Sequence, residues 1–478
     1  MVFSSFTFLL LFLPVVLLLN AVSTNIKWRN AVLLVASLIF YGWGEPVYIL
    51  CMLLSTFVNY IAAIAFTKTK NKLLKKVYLT IGVIMSVAFL FYFKYAAFLF
   101  NSIAPIFSSA AVLPVLELPI GISFYTFQIL TYTVDVYRGK AKLQKNFFDL
   151  LLYVSCFPQL IAGPIVQYSD VESMIEDRSA TTDDIAAGLK RFVVGLAKKI
   201  LLANVCGSAL EQLNLANGDA EMSICGAWFA AVLYGLQLYY DFSAYSDMAI
   251  GIGRVLGFTY KENFNYPYIS KSISEFWRRW HISLGAFFRD YVYIPLGGNR
   301  VGKVRLVINL LIVWSLTGFW HGASWNFLAW GAYYGVIIIL ERLVFSNFLK
   351  KAPAVILHIY SIVLILAGWV LFYYIDIADC FTHLLAMVGL QISEGAVSLV
   401  PFIDDATIYT AKQYALFYPV VVFCALPILP WIKAKIEKSS ILSKLCDVGT
   451  TVALTALLAL SVITLVGQTY NPFIYFRF

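Results

Sequence analysis

Charge is scarce in this chain, and so is every residue combination that builds a metal site. Of 478 residues only 13% are Asp, Glu, Lys or Arg, against roughly a quarter in a soluble globular protein. That excludes a soluble enzyme, a disordered chain and a nucleic-acid binder. The seven cysteines (Cys51, Cys156, Cys206, Cys225, Cys380, Cys424 and Cys446) stand singly, with no CxxC and no histidine at ligand spacing. Neither a metal centre nor a disulfide framework is expected, and such cysteines serve as small packing residues. An internal repeat and a soluble domain are lacking too. What fills the chain is apolar: 61% of residues, with 17% aromatic and a mean hydropathy of +0.80. It reads as an all-α polytopic membrane protein, one membrane-embedded domain over residues 1–478. The net charge of +9, from 35 basic and 26 acidic residues, sets topology rather than attracting acidic partners.

A span needs about 20 apolar residues, and Lys and Arg mark the cytoplasmic loops. Residues 2–22 are apolar and lack the basic flank of a signal peptide; Lys27 and Arg29 follow, so Met1 is expected outside. Residues 31–66 break at Gly42-Trp43-Gly44-Glu45-Pro46 into a hairpin that returns to Lys68, Lys70, Lys72, Lys75 and Lys76. Residues 77–107 form one long helix or a kinked pair. Residues 118–136 lead to a cytoplasmic run, Arg138, Lys140, Lys142 and Lys145. In 147–168, Phe157-Pro158-Gln159 and Ala162-Gly163-Pro164 leave backbone groups unpaired, so this segment is read as re-entrant and enclosed by protein. The basic stretch 254–305 lies in the cytoplasm. Residues 376–412, with five acids against one lysine, form an external acidic loop. About ten or eleven crossings result, with both termini outside.

Three places concentrate polar residues. Asp241, Ser243, Tyr245 and Asp247 stand together near the end of an apolar helix, lining a polar tunnel or closing a hydrogen-bonded helix end. Trp277-Arg278-Arg279-Trp280-His281 is an interfacial anchor, the ring among headgroups and the cation on phosphate, or a docking surface for a phosphorylated cytoplasmic donor such as coenzyme A. Trp320-His321-Gly322-Ala323-Ser324-Trp325-Asn326 lies inside an otherwise apolar stretch, 306–341. A histidine at that depth is costly unless partnered, and intramembrane ionisable residues are functional candidates by default. His358 and His383 lack such surroundings and read as structural.

These residues carry a resemblance. The segment from Trp277 to Pro295-Leu296-Gly297-Gly298-Asn299-Arg300, followed by Trp320-His321-Gly322-Ala323, resembles the signature of the membrane-bound O-acyltransferase (MBOAT) family. The likeness extends to Phe40-Tyr41-Gly42-Trp43, to 119–128, to Ala162-Gly163-Pro164-Ile165 and to 241–247, and so covers nearly the whole chain. It is greatest for the bacterial branch that exports acetyl groups to envelope polymers; the D-alanylation subunit of teichoic acid synthesis is a relative. The resemblance implies a helical ring with re-entrant helices around a central tunnel, its catalytic core in 254–341. The family's invariant histidine falls on His321 and its second conserved polar position on His281. It further implies acetyl-CoA as the donor substrate, no bound cofactor or metal, and a bacterial cytoplasmic membrane as the location. An extracytoplasmic SGNH-type acetyltransferase partner would pass the group to an envelope polysaccharide such as alginate or peptidoglycan.

Chemistry limits the mechanism. A neutral His321 can accept a hydroxyl proton as attack proceeds, but the gap from a phenol is about 3.5 pKa units, roughly 5 kcal/mol, so transfer must be concerted with attack. His281 orients donor or acceptor, or polarises the thioester carbonyl. The aromatic end of the chain, residues 470–478, offers an acceptor in Tyr475, as the related systems suggest, or an aromatic-belt anchor. D-alanyl or other acyl transfer, a polysaccharide or lipid transporter using the Asp241/Asp247 region, and a non-catalytic scaffold are the competing readings.

Overall fold

The computed structural model describes residues 1–107, 111–217, 222–393, 395–436, 439–467 and 474. Helix dominates, because backbone groups in a medium without water must pair within their own segment. Among the described residues six helices are long and apolar enough to cross a membrane: Ile49–Lys68, Lys72–Phe107, Thr182–Ala216, Lys303–His321, Ala354–Tyr373 and Cys446–Gly467. Phe417–Ala425 and Ile428–Ile436, bent by 68° at Leu426-Pro427, make a seventh if taken as one span. The count is below the ten or eleven crossings expected. Thr7–Ala21 and the 17-residue Ile26–Gly42 fall short of a full span. Ile224–Val255 is long enough at 32 residues, but Gln237 and Asp241 dilute its apolarity. Lys72–Phe107 is continuous, with a π-helical turn at Phe91–Tyr95 rather than a break into two helices.

Two compact units divide the chain. The first comprises Met1–Phe192 and Tyr245–Glu262. Its aromatic core includes Phe3 against Phe8, ring centroids 4.7 Å apart, and Phe40 against Phe157 at 5.7 Å. The segment read as re-entrant is broken as its prolines require. Helix Phe147–Ser155 stops at Cys156 and restarts for one turn, Phe157–Leu160. Its irregular backbone is buried and answered by side chains: Gln159 Nε2 donates to Tyr153 O at 2.6 Å, and the Tyr153 hydroxyl to Val166 O at 2.7 Å.

The second unit comprises Val193–Ala244 and Asn263–Phe478. It holds the hairpin of Lys303–His321 and Trp325–Leu343 and the helix Ala354–Tyr373 packed beside it. The described residues of 376–412, expected as an external acidic loop, include helix Ile377–Met387, an antiparallel pair Leu390–Ser393 with Ala396–Leu399, and helix Asp405–Gln413. Two of the acids counted as loop charge are caps. Asp376 accepts from Ala378 N at 2.8 Å, and Asp404 from Thr407 N at 2.6 Å and Ser223 N at 3.2 Å. Such caps satisfy amides that a helix start leaves unpaired.

Candidate active site

The histidine hairpin closes tightly because two glycines face each other. A Cβ on Gly318 would lie 2.3 Å from Phe327 O, and one on Gly331 2.4 Å from Trp314 O. The first helix ends at His321, which is buried, where Gly322 turns to extended backbone. Aromatic rings enclose its imidazole: Trp320, Trp330 and Phe372 stand 4.8, 4.9 and 5.0 Å away, centroid to centroid. Asn326 opens the second helix, and its Nδ2 donates to Tyr374 O at 2.6 Å. That carbonyl lies just past helix Ala354–Tyr373, so Asn326 acts as a helix-end seal.

His281 is held differently. It links the short helices Ile273–Arg279 and Ile282–Phe288 with a φ of 45°, in the left-handed region. A non-glycine residue there costs about 1–3 kcal/mol and persists only where surroundings over-determine it. Two backbone bonds do so: Asn265 N–H to Arg279 O at 2.9 Å and Ile282 N–H to Asn263 O at 3.0 Å. The Asn263 side chain then fixes the ring. Its Oδ1 accepts from Ser283 N at 3.1 Å and from the Ser283 hydroxyl at 2.9 Å, and lies 3.2 Å from His281 Nδ1. A backbone N–H can only donate, so the atom it meets must be the oxygen, and Nδ1 must carry the hydrogen. The lone pair of neutral His281 therefore resides on Nε2. Burial pushes this imidazole down to about 3, which keeps it neutral. The Trp320 indole lies against both histidines, 5.9 Å from His281 and 4.8 Å from His321.

A cavity of about 300 Å³ opens beside His281. Trp277, Arg278, Trp280, Arg289 and Arg342 contribute to its lining together with the imidazole. All three arginines are exposed, Arg289 paired with Asp290 at 2.7 Å, and His281 is buried, so the cavity grades from a rim whose positive charge rests on Arg278 and Arg342 to a neutral base. Glu341 sets this wall by capping the helix that bears Trp277: it accepts from Ile273 N at 2.6 Å and Ser274 N at 2.8 Å. Arg279 is not part of the lining; it pairs with Glu275 at 2.9 Å.

The polar run 241–247 separates. Asp241 is ion-paired to Lys199 at 2.6 Å in the second unit, and Ser243 is buried in the same unit. Asp247 pairs with Arg191 at 2.8 Å in the first, where Tyr245 stacks on Phe3 at 4.4 Å. Tyr475 lies outside the described residues. Sequence reasoning missed Asn263, Lys199, Trp330 and Arg342 as site residues. Asn263 had no local signal, standing 18 residues before the histidine it orients; Lys199 had one, a basic residue inside an apolar stretch.

Residues 140–380 match the model of the membrane-bound O-acyltransferase family. Over 100% of both chains, the protein is 37% identical to the probable alginate O-acetylase AlgI of Azotobacter vinelandii. It is 35% identical to that of Pseudomonas aeruginosa, again over 100% of each. It is 32% identical to the peptidoglycan O-acetyltransferase of Helicobacter pylori, covering 100% of this chain and 98% of the relative.

Proposed function

The chain belongs to the membrane-bound O-acyltransferase family, and on that premise we propose that it moves acetyl groups from cytoplasmic acetyl-CoA through the bilayer onto an extracytoplasmic polysaccharide. It is a multi-pass membrane O-acyltransferase. The observation that carries the finer reading is the cavity beside His281. An exposed arginine rim suits the phosphates of a nucleotide-bearing thioester. A volume of about 300 Å³ is at the small end for ligand pockets, which suits a slender pantetheine arm reaching inward with the nucleotide left at the rim.

In the proposed reaction an acceptor hydroxyl oxygen attacks the thioester carbonyl carbon as a histidine takes its proton. The C–S bond then breaks, and the imidazolium returns the proton to the departing thiolate. His321 is the general base of this scheme. His281, with its lone pair on Nε2, accepts a hydrogen bond, so it orients the attacking hydroxyl; in this tautomer Nε2 has no hydrogen with which to polarise the carbonyl. The acceptor hydroxyl is that of Tyr475, which hands the acetyl group to an SGNH-type partner for delivery to alginate, peptidoglycan or another envelope polymer. A transport role has lost its supporting acids, since Asp241 and Asp247 are each held by a basic partner.

The test uses the purified chain in liposomes with labelled acetyl-CoA, followed by digestion and a search for alkali-labile acetyl on the carboxy-terminal peptide. Label on Tyr475 that vanishes with His321→Ala supports both the chemistry and the relay. Histidine-dependent release of CoA without label keeps the enzyme and moves the acceptor elsewhere. No histidine-dependent turnover, alone or with a partner added, refutes acetyl-CoA as donor.

A further inference from the structure

A buried ion pair in the second unit does more than join two helices. Lys199 lies in the π-helical turn Lys198–Ala203, and its Nζ is 2.6 Å from Asp241 Oδ1, with the side chains 5% and 3% exposed. Charges in a membrane-spanning helix are expensive and mark function by default, and π turns recur at functional sites. Lys199 compensates the charge that burial penalises, its Nζ meeting one carboxylate oxygen, Oδ1. The other, Oδ2, accepts the backbone N–H of Ile474 at 2.8 Å. Ile474 is itself buried, and 233 residues separate it from Asp241. An acceptor for a backbone amide fixes where a chain runs, whatever side chain it carries. The next residue on the helix, Phe242, meets the His281 ring edge-on at 4.7 Å. The carboxylate that holds residue 474 is therefore one residue along the helix from a wall of the histidine site.

We propose that Lys199 and Asp241 form a built-in receptor for the carboxy-terminal segment, positioning it for acyl transfer by binding the Ile474 amide. The role rests on the reading that Tyr475, next in the chain, is the acyl acceptor. Asp241 and Lys199 are positioning residues here: they touch neither donor nor reacting hydroxyl, and act through the backbone they hold.

Two double variants of the full-length protein separate this role from a helix staple. Lys199→Met with Asp241→Asn and Lys199→Met with Asp241→Leu both remove both charges, so neither leaves a charge buried alone. They differ in whether residue 241 keeps a carbonyl acceptor. Hydrogen exchange at Ile474, read on the carboxy-terminal peptide, is measured beside acetyl labelling of Tyr475, with melting temperature as the folding check. Slow Ile474 exchange and Tyr475 labelling are expected in the wild type and recovered in the Asn variant. In the Leu variant exchange is expected to accelerate on the order of tenfold or more, as for an amide freed to open locally, and labelling to fall by about as much. Equal loss in both variants would make the pair a staple and overturn the proposal, as would unprotected Ile474 in the wild type. Equal labelling in the wild type and the Leu variant would overturn the positioning while leaving Tyr475 as acceptor. Asp241-dependent protection with no wild-type label would remove the acceptor reading and the positioning role with it.

Discussion

Replacing Asn263 with alanine should slow acyl transfer without removing any group that touches substrate. The Asn263 Oδ1 is the shared acceptor for Ser283 N–H, the Ser283 hydroxyl and His281 Nδ1, at 3.1, 2.9 and 3.2 Å. All three residues are buried, so alanine leaves donors without an acceptor. At about 1–3 kcal/mol for each unsatisfied buried group, and less than additively, the loss should reach about 2–4 kcal/mol. Catalysis suffers separately: once Nδ1 has no acceptor, the imidazole can move its hydrogen to Nε2 or turn, and loss of such an orienting contact costs roughly 10–100-fold. The assay is kcat for histidine-dependent acetyl transfer in liposomes, normalised to folded protein, with KM for acetyl-CoA expected to stay near wild type. Asn263→Asp keeps an acceptor oxygen and should restore most of the rate. Its added negative charge favours imidazolium, so the pKa of His281 rises from about 3 and the acid limb of the rate profile moves to higher pH. Wild-type kcat in Asn263→Ala would refute the reasoning, as would Asn263→Asp that is as slow as alanine with an unmoved pH profile.

Other consequences can be checked on the same preparation. Gly318→Ala places a Cβ 2.3 Å from Phe327 O and should lower stability by about 1–3 kcal/mol or more through overpacking; Gly302→Ala, with nothing within 4 Å, is the neutral control in a thermal melt. Arg278→Gln should raise KM for acetyl-CoA about tenfold, equivalent to ~1.4 kcal/mol, whereas Arg279→Gln, which loses contacts to Glu275 and to Asn265 O outside the cavity lining, should leave KM near wild type; equal effects would displace the donor from the cavity. His281 is held neutral at about 3 when folded and takes up a proton near 6.5 when unfolded. Its contribution to stability is thus present above pH ~6.5 and lost as pH falls toward 3. Melting curves between pH 7 and 5 should show a drop that His281→Gln makes shallower, and an unchanged slope would count against the buried neutral state.

The amino-acid sequence by itself determined the solvent. Scarce charge and apolar runs of span length leave no soluble solution, and these are sums over contiguous residues that any reader of the chain can make. It also marked the two histidines as candidates, because each stands in an aromatic setting beside a tryptophan, and it marked the break at 156–163, because proline and glycine act on their own backbone. What only the tertiary structure decided depends on residues with no fixed spacing. Asn263 selects the tautomer of a histidine 18 residues away. Arg278 and Arg279, adjacent and chemically alike, divide between a cavity lining and an ion pair. Asp241 and Asp247, six residues apart in one helix, take different basic partners in different units. Two acids of 376–412 turn from loop charge into helix caps. Hydropathy accumulates along the chain, whereas a hydrogen bond or ion pair exists only where folding brings two groups within about 3 Å, and that meeting is written in no local pattern.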